Sequence, residues 1–345
     1  MQATLAAPVE DRATEAVSVK VVRRSEWIVF AFLLYAPALT LLLPAPEGLR
    51  TRLASLNIVV TLAYAGLIYL DSAKPRLILS VIRDWLPLGL IVVAYREMGW
   101  FALPHQTALL ESRWVAWDRL VFASGGRAAI ESLGPVVPSI LEIAYALVYA
   151  LPPFALAVLY LYRRRDAADR FLTVVLLGVL LCYAQFPFWP SEPPRVVFAG
   201  LDLPTYTTVF RRFNLWMLGN YGIHTSVFPS AHVAGAFSTA FGLRFVMPEA
   251  KRTYRSLFVV AVLIAVATVY GRYHYLADAT CGAAIACMVA IFLAAWLSTA
   301  TISSAPMLSR RRGARWYPAR RLASAARAET HSARRLPTCP TSAGD

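Results

Sequence analysis

Charge is scarce in this chain. Of its 345 residues, 16% are Asp, Glu, Lys or Arg and 58% are hydrophobic, whereas an ordinary soluble domain is about 25% charged. A water-soluble globular fold is thereby excluded. Cysteine is scarce as well: Cys182, Cys281 and Cys287 fall inside apolar runs and Cys339 lies near the C-terminus. That spacing makes neither a disulfide framework nor a zinc site, and the cysteines are expected to be small packing residues. No stretch alternates apolar and polar residues in the manner of a transmembrane barrel, and no internal repeat is evident. The first 24 residues are polar and of mixed charge. No small-residue cleavage pattern follows the first apolar run, so a removed signal peptide is not expected.

What the chain has in excess is uninterrupted apolar sequence. Several runs approach or exceed the roughly 20 residues that carry a helix across the hydrocarbon core. They fall at 27–44, 53–70, 85–102, 138–161, 171–188, 229–247, 256–272 and 276–299. The pattern predicts an all-α, polytopic integral membrane bundle of about eight transmembrane helices.

A net charge of +14 raises the thought of a nucleic-acid binder, but the placement of the charges decides otherwise. With the N-terminus inside, alternate connections hold Arg12, Lys20, Arg23 and Arg24; Lys74, Arg76 and Arg83; Arg163, Arg164, Arg165 and Arg170; and Arg244, Lys251, Arg252 and Arg255. Together with nine arginines of the tail they make up 24 of the 34 basic residues. This positive-inside bias predicts a multi-pass cell-membrane protein with both termini cytoplasmic and no nucleic-acid partner. The tail from Ser303 onward contains "SRRRGARWYPARRLASAARAETHSARR". It is arginine-rich without apolar periodicity, so it is expected to stay disordered beside anionic lipid. Within 105–137, "LLESRWVAWDRLVF" reads as an amphipathic helix at the outer interface, with a cap over a site as its functional alternative. Residues 190–228 read as a long outer loop.

With this topology three segments emerge on the outer side: "FPFWPSEPPR", "FPSAH" and "YGRYHYLAD". His232 and His274 are 42 residues apart, room for one helix inward, a basic turn and one helix back. His274 and Asp278 stand at i and i+4 and share a helix face. Asp278 can then take a proton from one ring nitrogen and leave the other free as nucleophile or base. His232 would supply the complementary acid. Pro229 suits a first helical turn, and Ser230 lies among amides that still need acceptors, a setting that suits a phosphate oxygen. Arg195, behind the rigid Pro193 and Pro194, could grip phosphate with two prongs, and Arg272 lies close enough to His274 to join it.

Singly, each of these has a plainer reading, an interfacial histidine or a proline turn. Together at one membrane depth, ionisable side chains mark function. Arg211 and Arg212 are expected to be solvated. His224 is expected at the interface, and His105 and His331 have no companions. Trp189, Trp216, Tyr221, Tyr270, Tyr273 and Tyr275 read as an aromatic belt.

These segments resemble the type 2 phosphatidic acid phosphatase superfamily, whose helical members set Pro-Ser-x-His against His-x-x-x-Asp across a phosphate site. Here those are Pro229-Ser230-Ala231-His232 and His274 to Asp278, and the resemblance covers about 138 to 300. It implies a six-helix-type phosphatase core, attack by His274 on phosphorus and a phosphohistidine intermediate. It also implies orientation by Asp278, protonation of the leaving oxygen by His232, and no metal or other cofactor. Two positions depart from the pattern: Ala267 and Thr268 stand where a Ser-Arg pair is common, and Phe188 stands where a lysine is common. This thinner set is more similar to the branch that includes fungal inositol phosphorylceramide synthase and its bacterial relatives, which also have a tyrosine, here Tyr275, after the nucleophilic histidine. A phosphomonoester carries roughly −1.5 to −2 in charge and a diester carries one, so fewer cations suit a lipid phosphodiester donor.

The expectation is an enzyme that moves a phosphate-bearing headgroup from a phospholipid to an alcohol acceptor. Hydrolysis by water of a lipid phosphate, of phosphatidic acid or polyprenyl phosphate type, is the alternative. A non-catalytic lipid-binding or transport protein is a further alternative, disfavoured by the complete His/His/Asp set. The expected organisation is a cytoplasmic segment 1–26, N-terminal transmembrane helices 27–104, an outer interfacial segment 105–137, a catalytic core 138–300 and a basic tail 301–345. Nothing in the sequence sets an oligomeric state. A cysteine introduced at Gly200 is expected to react with an impermeant thiol reagent from outside the cell, while Cys339 stays unlabelled. The reverse pattern would move the site to the cytoplasm and overturn the charge argument.

Overall fold

The computed structural model describes residues 22–101, 109–223, 225 and 228–303, with the side chains of 296–303 excepted. Arg12, Lys20, His105, His224, His331, Cys339 and the basic tail lie outside the described residues. The chain divides into two units, Met1–Thr299 and Ala300–Asp345, and everything said below concerns residues of the first. Every regular element among the described residues is helical, and none is a strand.

In chain order the helices are α1 (Arg24–Leu39), α2 (Leu49–Ala73), α3 (Leu77–Gly99), α4 (Leu109–Ala123), α5 (Gly126–Glu131), α6 (Val136–Leu147) and α7 (Leu151–Leu161). They are followed by α8 (Ala168–Tyr183), α9 (Pro194–Val197), α10 (Val209–Tyr221), α11 (Ala231–Val246), α12 (Lys251–Tyr270) and α13 (Leu276–Ser303). Among the described residues five stretches are long and apolar enough to cross a membrane: α2, α3, Arg165–Phe188 around α8, α12, and Leu276–Ala295 of α13. A sixth is added if α6 and α7 count as one broken span. α1 and α11, of 16 residues each, are shorter. Large side chains such as Leu62, Tyr69, Val92, Val259, Ile291 and Phe292 point outward, as they do where lipid is the solvent. The protein is a membrane protein.

Two expectations need correction. The span 138–161 is not one rod: α6 and α7 meet at a bend of 69°. Pro152 and Pro153 occupy the first turn of α7; they lack the N–H groups that would continue α6 and suit only a helix start. The loop 190–228 is also not irregular throughout, because α9 and α10 lie within it. Thr208 caps α10 by accepting from the Arg211 N–H at 3.1 Å, which satisfies one of the four free amides of a helix start.

α4 falls on the segment read as amphipathic, but its inward stripe is Glu111, Val115 and Asp118. Two carboxylates thus face the protein, while Leu109, Trp117 and Leu120 face out.

α11 packs against α7, α8 and α12 with Ala234, Gly235, Ala236, Ser238, Thr239, Ala240 and Gly242 in its contacts. All of these except Gly242 and Gly235 carry side chains that are fully or almost fully buried. Small residues let helix backbones approach closely. A Cβ on Gly178 would collide with the Ser238 hydroxyl, and one on Gly282 with the Ser230 carbonyl. The second contact seats α13 against the start of α11.

The far end of α11 approaches the α7–α8 turn, where Arg164 bonds the Val246 carbonyl at 3.2 Å. The fourteen residue steps of helix from His232 to Val246 put that end about 21 Å from His232. There a buried charge cluster joins four elements. Arg83 bonds both oxygens of Glu26 at 2.8 and 2.9 Å and Asp71 at 2.8 Å. Asp84 accepts from Arg23 at 2.5 Å and Arg165 at 2.6 Å.

At the His232 end, Glu142 of α6 is the joint. Its carboxylate accepts from Arg211 at 3.0 Å, Asn214 at 2.7 Å and the Tyr273 hydroxyl at 2.6 Å. Arg211, expected to be solvated, is therefore buried and paired, whereas Arg212 is exposed. Removing one partner of a buried pair strands the other charge, so Glu142→Ala is expected to cost about 3–5 kcal/mol. Thermal unfolding checks this against Arg212→Ala, expected within about 0.5 kcal/mol of the parent. An unchanged midpoint in Glu142→Ala would remove Glu142 as the joint.

Candidate active site

The site grows from the turn between α12 and α13. Gly271 closes α12 by donating to the Ala267 carbonyl at 2.8 Å, and the Thr268 carbonyl then accepts from both Tyr273 N–H at 2.9 Å and His274 N–H at 3.0 Å. Between them Arg272 takes the left-handed conformation, φ 60°, which a residue with a Cβ adopts only when its surroundings hold it there. α13 begins two residues after His274. Asp278 lies in its first turn, and its Oδ2 accepts from the Tyr275 N–H at 3.0 Å while standing 3.2 Å from His274 Nδ1.

The same residue reaches the second histidine through the backbone, for the Ser230 N–H donates to the Asp278 carbonyl at 3.0 Å. Ser230 is the N-cap of α11, its hydroxyl accepting from Val233 N–H at 3.4 Å. His232 follows two residues later. The expected pair therefore meets: His274 Nε2 and His232 Nδ1 are 3.3 Å apart. His232 Nε2 is in turn 3.1 Å from the Tyr149 hydroxyl.

One set of tautomers satisfies the whole line. Tyr149 O–H donates to His232 Nε2, His232 Nδ1–H donates to His274 Nε2, and His274 Nδ1–H donates to Asp278. In that arrangement the lone pair of His274 points at the other histidine, and His232 carries the proton between them.

Tyr145 and Tyr149 were not among the expected site residues. The Tyr145 ring stacks on His232 at 5.3 Å and on Tyr273 at 4.2 Å. The two tyrosines stand at i and i+4 where α6 meets the proline break, so their spacing was a readable signal. Of the aromatics assigned to a belt, Trp189, Trp216 and Tyr221 are exposed, but Tyr270, Tyr273 and Tyr275 are buried. Burial of that second group corrects the expectation, because these rings wall the site and the turn.

Of the expected phosphate-binding side chains, Arg195 lies close to the histidines. Its N–H bonds the Arg272 carbonyl at 3.2 Å, its Nη1 reaches the Tyr273 carbonyl at 3.4 Å, and its guanidinium lies 5.8 Å from the Tyr273 ring centre. It has no carboxylate partner among the described residues. Burial lowers its pKa from the ordinary value, yet arginine keeps its proton at neutral pH.

Arg272 is placed differently. It is fully buried and its Nη1 is paired with Asp118 at 2.5 Å, while its Nε and Nη2 have no hydrogen-bond partner among the described residues. Ser230 is also fully buried, with its hydroxyl turned to its own helix.

At the two departures from the family pattern, Thr268 is buried with its hydroxyl on the Ala265 carbonyl at 2.8 Å, and Phe188 is exposed. Among the described residues no group of three or more His, Cys, Asp or Glu side chains is arranged to hold a metal ion. Beside the turn lies an apolar groove of about 300 Å³, bordered by Phe122, Phe237, Val266, Val269, Leu276 and Ala283.

A family model described as the PAP2 superfamily matches residues 119–292. The matched stretch is just over half of the chain and contains Arg195, Ser230, His232, Arg272, His274 and Asp278. Comparison with curated proteins and with solved structures gave no match. A histidine pair aligned on one carboxylate, at the ends of helices that meet through Ser230, falls wholly within that stretch, and the chain belongs to the PAP2 superfamily, whose members are generally phosphatases or phosphotransferases.

Proposed function

We propose that the protein is a lipid phosphotransferase that works through a phosphohistidine on His274. The observation that carries this reading is the hydrogen-bonded line from Asp278 through His274 and His232 to Tyr149. Asp278 holds the His274 proton on Nδ1, which leaves Nε2 as the nucleophile. A separation of 3.3 Å between the rings is closed by a proton, so the substrate phosphoryl group must part them. His274 Nε2 then bonds to phosphorus, the bond to the leaving oxygen breaks, and His232, which must enter this step as the imidazolium, gives that oxygen a proton and is left neutral. In the second half the acceptor hydroxyl gives its proton to His232 and attacks phosphorus, releasing His274. Arg195 is the cation best placed to stabilise the transferred group.

Charge favours transfer from a diester. Arg211 is neutralised by Glu142 and Arg272 by Asp118, which leaves Arg195 to meet the phosphate. One uncompensated positive charge suits a singly charged phosphodiester better than a phosphomonoester. The reading is inositol phosphorylceramide synthase-like: a phospholipid donor gives its phosphate-bearing headgroup to an alcohol. The apolar groove next to Leu276 is suited to a lipid chain beside the reacting phosphate. In the membrane, α1, α11 and the bent pair α6–α7 complete eight crossings. The termini then face the cytoplasm, the site faces outward, and residues 138–300 form the catalytic core.

Purified protein given labelled phosphatidylinositol or phosphatidic acid, with and without a lipid alcohol, tests the reading. Phosphatidylinositol is expected to be consumed faster, and the alcohol to divert the product from hydrolysis to transfer. His274→Ala is expected to lose at least about a thousandfold in turnover, and Asp278→Asn less than that. Rapid release of phosphate from phosphatidic acid, with no diester turnover and no effect of alcohol, would leave a plain lipid phosphatase instead.

A further inference from the structure

Asp118 lies on α4, one residue before the stretch matched by the family. Its side chain is fully buried and uses both oxygens. Oδ2 accepts from Arg272 Nη1 at 2.5 Å, and Oδ1 accepts from the Leu276 N–H at 2.8 Å. Those two partners stand two residues before and two residues after His274. The Arg272 guanidinium also lies over the Phe122 ring at 5.4 Å, one turn along α4 from Asp118.

The rest of α4 grips the other two segments of the site. Glu111 accepts from the Glu192 N–H at 3.2 Å, close in sequence to Arg195. Trp114 stacks on Phe228 at 4.9 Å, next to Pro229 and Ser230. One short helix thus touches the three segments that carry Arg195, His232 and His274.

We propose that Asp118 is a positioning residue that staples the catalytic turn from both flanks and so fixes the direction of His274 Nε2. The proposal rests on the reading of His274 as the nucleophile. A left-handed Arg272 immediately before the reacting segment needs an outside contact to hold it, and Asp118 supplies that contact. A buried ion pair adds little net stability once desolvation is counted. Its use here is geometric. It sets the turn at one end, while the Leu276 N–H sets the first turn of α13 and with it Asp278.

Asp118→Asn keeps the size and the acceptor for Leu276 but loses the charge opposite Arg272. In the purified full chain with a phospholipid donor, kcat is expected to fall about 100-fold, the effect of a misplacement near 1 Å. KM should stay within about threefold, because the groups that bind the ground state remain. Hydrogen exchange should rise over residues 271–276 and not in α8, and the rate at which diethyl pyrocarbonate modifies His274 should change. Asp118→Glu, which keeps the charge, is expected to recover about a tenth of parental kcat through the restored pairing with Arg272.

Parental kcat in folded Asp118→Asn would overturn the proposal. So would exchange that rises equally throughout the molecule with no recovery in Asp118→Glu. If the parent turns over no phospholipid, the phosphotransfer reading fails on its own. Unchanged exchange over 271–276 in Asp118→Asn would then overturn the staple independently.

Discussion

A histidine can act as a nucleophile only if one nitrogen is held and the other is aimed, and in this protein His274 sits in a five-residue turn between two helices with Asp278 at one nitrogen and His232 at the other. That turn contains a non-glycine residue in left-handed backbone and two buried arginine contacts at its rim. Such a conformation is stable only where buried carboxylates meet the charges. Glu142 comes from one side, through Arg211 and Tyr273, and Asp118 from the other, through Arg272 and Leu276. The two acids belong to α6 and α4, so one anchor of the turn lies within the core and the other on the helix just in front of it.

The remaining architecture brings a second histidine to that turn. α11 is lined with alanine, glycine, serine and threonine, so its neighbours pack close, and Gly282 lets α13 lie directly on the Ser230 carbonyl. The bend at Pro152 and Pro153 ends α6 at the level of the site. Tyr149, in the bend, meets His232 there. At the opposite end, Arg83, Glu26, Asp71, Asp84 and Arg165 tie the N-terminal helices to the α7–α8 turn. The basic residues counted toward the positive-inside bias at that end are thus partly structural as well.

The apolar runs, the helical class and the meeting of His232, His274 and Asp278 were legible because each depends on short-range periodicity or on an i, i+4 spacing. Arg211 was misread for a reason of the opposite kind. Its partner, Glu142, is 69 residues away, and nothing local distinguishes a solvated arginine from one bound across the fold. Asp118 was hidden in the same way inside a segment read as an interfacial helix or a cap over a site, neither of which points to one carboxylate. The break at Val148–Ala150 was signalled by two prolines, yet the apolar run across it was long enough to look like a single span. α10 escaped notice because its arginines, asparagines and aromatics give no clean stripe, its inward face being built from Arg211 and Asn214.

The central claim is that phosphorus becomes bonded to His274. A phospholipid donor labelled at phosphorus, mixed with the protein and quenched in alkali within one turnover, followed by mapping of the labelled peptide, tests it most directly. The account predicts label that is stable to base, lost in acid and confined to the peptide containing His274. Label on another residue, or turnover with no label on the protein at any time, would contradict it.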